Sequence, residues 1–250
     1  MLFSEILEKS LKKTLREEKL YKNISLRPNG ELRSEVIRYL GYGNGVNITP
    51  EIDYLIQKGM LDICAIAEPR AIYRYFSLEN YIDFPSRKDS AAFSGDSEKT
   101  CGLSLRLCDG IILMGTTLGI PVDQLLNRAQ IRNMAYALVL DSCATAAIES
   151  VCDDLQNRLV TAYASQNKYL TNRYSPGYGN LQLSSQPQLL SLLDAERKIG
   201  VSVTQNFLLM PSKSVTAIIW ASNFRQKTGR ISCNVCGMRN RCYFKRMEAV

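Results

Sequence analysis

Arg173-Tyr174-Ser175-Pro176-Gly177-Tyr178-Gly179 gathers the groups needed to hold an anionic small molecule. Pro176 fixes one φ angle, Gly177 and Gly179 permit positive φ and close backbone approach, and Arg173 offers a planar fork of donors suited to a carboxylate. The same letters also fit an ordinary Pro-Gly turn beside a solvated arginine. A second concentration of chemistry lies further on, where Cys233-x-x-Cys236 is followed by Cys242 among Arg230, Arg239 and Arg241. Thiolates at this spacing suit zinc or an iron–sulfur cluster, and the arginines would offset their charge. Only three ligands are visible, so a fourth must come from elsewhere; a redox pair or free thiols are the competing reading. Cys64, Cys101, Cys108, Cys143 and Cys152 stand singly in apolar or helical contexts and read as buried thiols. The chain has no histidine, which removes a Ser-His-Asp triad, a Cys-His pair and every histidine-containing metal site. No Gly-rich phosphate motif of the Walker or Rossmann type is present.

The elements that must position these groups are well punctuated. Ahead of the loop, Leu138, Ile148, Val151, Leu155 and Leu159 recur at helical spacing without a Pro or Gly, which predicts one long helix from about Arg132 to Lys168. Glu149 lies at the edge of its apolar stripe, facing either solvent or a lined cleft. After the loop, Ser185 with Gln188 fits a capping box, Pro187 suits a first turn and Gly200 supplies a stop, predicting a helix between them. Val201, Val203 and Phe207 then alternate as a strand, and Ser214 to Trp220 form a second β-rich run after the Pro211-Ser212-Lys213 turn. Gly110 to Met114 form a further short strand. Together these predict an α+β fold, a twisted and largely antiparallel sheet flanked by helices.

The order of these segments resembles a known family, the S-adenosylmethionine-binding activation domain of cobalamin-dependent methionine synthase. The resemblance rests on Arg173 to Tyr178 as Arg-x-x-Pro-Gly-Tyr, on Glu196 to Gly200, and on Met210-Pro211-Ser212-Lys213-Ser214-Val215. Glu35 to Tyr42, and Met114 to Gly119 with Val122-Asp123 behind it, look like the short, free-standing branch of that family. What the resemblance implies is an accessory protein that binds S-adenosylmethionine and supports reductive methylation of cobalamin on a separate methionine synthase lacking its own activation domain. An electron-donating redox protein would be a second partner. By the same resemblance Arg173 would hold the methionine carboxylate, Ser175 and Gly177 would offer backbone contacts, Tyr178 would wall the adenosyl portion, and Glu149 would complement positive charge. Asp53 lies near the region where the family carries a further acidic ligand. Without histidine the chain supplies no imidazole to cobalt, so cobalamin would be carried by the partner.

Length and composition agree. The 250 residues are 46% hydrophobic and 22% charged with a net charge of +7, ordinary values for a folded domain. Basic residues concentrate at Lys9 to Lys22 and Arg225 to Arg246, which favours a solvated surface or an acidic protein partner over nucleic acid. Leu2, Phe3, Ile6, Leu7, Leu11 and Leu15 predict an amphipathic helix in the N-terminal stretch rather than a signal sequence or membrane span, hence a cytoplasmic protein. The expected organisation is an N-terminal helical extension over 1–30, an activation-domain-like body over 31–225 and a basic cysteine tail over 226–250. The alternative function is a metal-binding interaction module that keeps the fold without the nucleoside.

Overall fold

A computed structural model describes residues 15–22, 24–42, 47–77, 108–178 and 181–225. Strand β1 (Leu15–Lys22) leads to helix α1 (Gly30–Tyr39), whose first turn is capped by the Asn29 carboxamide accepting from the Leu32 amide at 2.7 Å. Helix α2 (Pro50–Ile66) starts with Thr49 as its cap and Pro50 in its first turn. Strands β2 (Arg70–Ser77) and β3 (Cys108–Thr117) follow, then α3 (Ile120–Arg132) and the 31-residue α4 (Met134–Ala164). After the short β4 (Tyr169–Leu170) come α5 (Gln186–Leu193), α6 (Ala195–Ile199), the small hairpin β5 (Ser202–Val203) with β6 (Leu209–Met210), and β7 (Ser214–Ser222).

The main sheet runs β1-β2-β3-β7-β4 with every neighbouring pair antiparallel. Alternation sends the side chains of β2 and β3 to opposite faces. Ile72, Phe76, Ile111 and Leu113 meet α5 and α6, whereas Ala71, Tyr73, Ile112 and Met114 meet Cys152, Leu155, Leu159 and Tyr163 of α4. The first half of α4 leaves the sheet and packs Leu140, Ala144, Ala147 and Ile148 against α1, α2 and α3. At 1.5 Å rise per residue α4 is roughly 46 Å long, enough to serve both cores. It is also long and apolar enough to cross a membrane, and 61% of its most apolar window is buried inside the fold. The predicted α+β architecture with an antiparallel sheet and flanking helices is the observed one.

Five local readings need correction. Residues 15–22 form an edge strand, not the end of an amphipathic helix. The helical spacing ran out at Leu15, and beyond it both faces find sheet partners: Leu20 packs with the α5/α6 core, while the Glu17 carboxylate accepts from Tyr73 and, at 2.8 Å, from Tyr163. Edge exposure suits the charges of this strand. Residues 1–14 lie outside the described residues. The helix ending at Gly200 is two helices, broken at Asp194 with φ 53°. The break lets Leu193 and Ile199 both reach the sheet at Gly115, where a Cβ would come within 3.3 Å of each. The capping box does not form, because the Ser185 hydroxyl donates to the Gln182 carbonyl at 2.6 Å instead. Phe207 lies in the turn between β5 and β6 with φ 63°, and Leu138 is exposed on α4.

Candidate functional site

Arg173 is placed by the edge of the sheet. Leu170 pairs with Ala221, the Thr171 and Trp220 backbones join at 3.0 Å, and Tyr174 exchanges both backbone bonds with Ile218 at 2.9 Å. The segment between β4 and the loop is therefore strapped along β7, with neighbouring side chains on opposite faces. Tyr174 packs with the α5/α6 core, and Arg173 turns to the α4 side.

There its guanidinium meets three α4 side chains. Nη1 donates to Gln156 Oε1 at 3.1 Å and lies 2.8 Å from Asp153 Oδ1, and Nη2 donates to Glu149 Oε2 at 3.1 Å. Spacings of four and then three residues put Glu149, Asp153 and Gln156 on one helical face. The burial is unequal. The Arg173 side chain is 17% exposed, while those of Glu149 and Asp153 are 41% and 42% exposed. Burial works against the arginine's charge, yet its anionic neighbours, Asp153 and Glu149 among them, hold its pKa above the usual value. Beneath the pair, Cys152 lies 3.0 Å from the Thr116 hydroxyl, and burial pushes its thiol up to about 12. A thiol so held stays protonated and is no nucleophile at neutral pH.

Glu149 also acts electrostatically on a second element. The Tyr39 hydroxyl is raised above its usual pKa first by burial, with Arg38 opposing and Glu149 reinforcing, which sets the Glu149 carboxylate within electrostatic reach of the end of α1. The Arg38 guanidinium lies 4.1 Å from the Tyr39 ring centre and pairs with Glu35 at 2.6 Å. Val36 of the stretch from Glu35 to Tyr42 packs in one core with Ala147 and Ile148 of α4, beside Glu149 in the chain. The Asp53 carboxylate is held by Arg33 at 2.6 Å and by Gln57 at 2.8 Å, tying α1 to α2.

The loop beyond Arg173 is tightly turned. Tyr178 donates its amide to the Ser175 carbonyl at 3.2 Å, and Gly177 donates to the Leu181 carbonyl at 2.8 Å. Gly177 has φ 92°, a conformation that side chains disfavour, while Pro176 is buried beneath it. Tyr178 stands out at 70% exposure. Gly179 lies outside the described residues.

The Met210-to-Val215 motif turns out to be a clamp on the fold. Asp123 accepts from both the Ser212 amide and hydroxyl at 2.7 Å, Lys213 pairs with Asp141 at 2.8 Å, and Ser214 donates to the Thr117 hydroxyl at 2.8 Å. These contacts bind the start of β7 to α3, α4 and β3, and so fix the strand against which Arg173 is strapped. Asp153 and Gln156 were missed by sequence reasoning. Their spacing from Glu149 was a visible signal, but it acquires meaning only once Arg173 is known to lie over that helical face.

Cys233, Cys236 and Cys242 lie outside the described residues. Among the described residues no cluster of three or more His, Cys, Asp or Glu side chains is arranged to hold a metal ion, and Cys64, Cys143 and Cys152 are free thiols.

Comparison with known proteins agrees with this layout. Residues 131–231 match the family model for the vitamin B12 dependent methionine synthase activation domain, a span running from the end of α3 through β7. The structure also resembles the crystal structure of the MetH reactivation domain bound to AdoHcy, with a TM-score of 0.54 at 13% identity over 86% of this chain and 81% of that one. At that identity the likeness is one of fold. No curated protein matches the chain in sequence. The fold is that of the methionine synthase activation domain, as the sequence resemblance led us to expect.

Proposed function

We propose that this chain binds S-adenosylmethionine beside the Arg173 loop and supports the reductive reactivation of cobalamin carried by a separate methionine synthase that lacks its own activation domain. The observation that carries the reading is Arg173 itself. A little-exposed guanidinium is aimed at a helical face by a strapped loop, on a fold shared with a reactivation domain bound to AdoHcy.

The residues present fit such a ligand. A guanidinium fork is matched to the carboxylate of the amino-acid moiety, and Glu149 offers a complementary charge for its ammonium group. Ser175 and Gly177 bring backbone close to the ligand, and the exposed Tyr178 ring is free to cover the adenosyl portion. The bound sulfonium supplies an electrophilic methyl group by its own chemistry. The chain's residues therefore have orientation and exclusion of other acceptors as their task, rather than acid–base catalysis. The chain lacks histidine, so cobalt ligation falls to the partner, and the electron that reduces oxidised cobalamin comes from a separate redox protein. The net charge of +7 favours docking on an acidic surface. A cytoplasmic location follows from this role. Cys233, Cys236 and Cys242 would add a zinc or iron–sulfur site serving docking or electron delivery.

Calorimetric titration with S-adenosylmethionine and S-adenosylhomocysteine tests the binding step. Saturable one-to-one binding of both is expected. Absence of binding to either, in folded protein, removes the reading.

A further inference from the structure

We propose that Asp153 is a resident competitor for the ligand's carboxylate, occupying Arg173 until the ligand displaces it. The inference rests on the nucleoside-binding reading above and deepens it by assigning a role to a residue outside the resemblance.

The geometry sets the argument. Arg173 Nη1 lies 2.8 Å from Asp153 Oδ1, closer than the 3.1 Å from Nη2 to Glu149, so the shortest ionic contact of the fork is with Asp153. A carboxylate entering the fork has to take the place of one already there. Asp153 lies one helical turn beyond Glu149 along α4. Asp153 is 42% exposed, so its carboxylate can return to water when released, and the cost of exchange is low. Its contact is of the same kind as the one the ligand makes, a carboxylate on a guanidinium. Bound ligand and bound Asp153 thus exclude each other. The arrangement keeps a little-exposed arginine neutralised without ligand, and it lowers the affinity of any carboxylate-bearing ligand by the strength of the resident pair.

The competition is selective. It acts on ligands that use the fork and leaves untouched those that bind by the adenosyl portion alone. S-Adenosylhomocysteine and 5′-methylthioadenosine share the adenosine and the thioether, and only the first has a carboxylate. Both should be titrated calorimetrically into the full chain and its Asp153→Asn variant. Asp154→Asn, which removes an equal charge one residue along from a pair with Arg158 at 2.8 Å, serves as the control. The expected result is binding of S-adenosylhomocysteine tightened by about two- to fivefold in Asp153→Asn, the range of a half-exposed ion pair. Affinity for methylthioadenosine should be unchanged there, and both affinities unchanged in Asp154→Asn. Equal or weaker S-adenosylhomocysteine binding in Asp153→Asn overturns the proposal while leaving the functional reading standing. An equal shift for both nucleosides also overturns it, since that marks a merely structural role. Failure of every form to bind either nucleoside overturns both readings.

Discussion

Arg173→Ala separates the structural from the ligand-holding work of one side chain. The arginine contributes three polar contacts at 2.8 to 3.1 Å. Two are ion pairs with half-exposed carboxylates, worth about 0.5 kcal/mol each after solvent screening. The bond to Gln156 is worth about 1 kcal/mol, and the packed aliphatic stem adds about 0.5–1 kcal/mol. Removing the charge also leaves Glu149 and Asp153 as like charges one helical turn apart, a further penalty of a few tenths, roughly 0.3 kcal/mol. The variant is therefore expected to lose about 3 kcal/mol of stability in urea melts and to remain folded. Loss of the ligand's charge-assisted bonds should cost about 1.5–3 kcal/mol of binding, roughly tenfold or more in Kd. Calorimetry with S-adenosylmethionine reads the second quantity directly. Arg173→Lys keeps a charge without the planar fork and should fall between wild type and alanine. A folded Arg173→Ala protein of unchanged affinity would mean that the ligand's carboxylate is held elsewhere, and the assignment of the loop would fall.

Gly177→Ala should cost about 1–2 kcal/mol through its positive φ, because the nearest atom to an added Cβ, Leu183 Cδ1, is 3.4 Å away and causes no clash; a thermal melt matching wild type would contradict the strain argument. Glu18 is hydrogen-bonded to Lys198 and Arg74, which hold its carboxyl below the usual value, so its contribution is complete above the unfolded carboxylate pKa and is lost as pH falls through the lower folded one. Glu18→Gln should therefore cost about 1–2 kcal/mol at neutral pH, with the gap to wild type closing toward acid; a gap that widens on acidification reverses the sign and defeats it. Protein purified anaerobically without chelator is expected to carry near-stoichiometric zinc or iron, reduced by Cys236→Ser with nucleoside binding intact; elemental analysis finding neither metal leaves the three cysteines as thiols.

Much of the fold could be read from periodicity because long elements average out local accidents. The long helix, predicted from about Arg132 to Lys168, runs from Met134 to Ala164, and the strand around Gly110 to Met114 is the middle of β3. Gly200 ends α6 in the left-handed conformation, as its position implied. Arg173 and Glu149, chosen separately from loop chemistry and from a family motif, lie 3.1 Å apart. Features decided by tertiary partners were not legible. Strand β1 has too many charges to look like a strand until Arg74, Lys198 and two tyrosines supply their counterparts. The break at Asp194 serves contacts made on Gly115 of a distant strand. Asp53 carried the right charge in the expected region but is committed to Arg33, and nothing in the local sequence distinguishes that fate from ligand binding.

The antiparallel pairing of β3 with β7 has a consequence for how the chain reaches its native state. Thr117 and Ser214, bonded through their side chains, are 97 positions apart, and two helical layers are threaded between them. Closing so long a loop must be compensated by contacts that form only afterwards, a cost that slows folding. On the ribosome, β2 and β3 emerge with one flank unsatisfied and wait for the last strand of the described fold. The residues that match the family model begin after β3, so the matched span holds β7 but not β3, along which β7 pairs. Three of the five strands of the main sheet, β1, β2 and β3, lie outside that match.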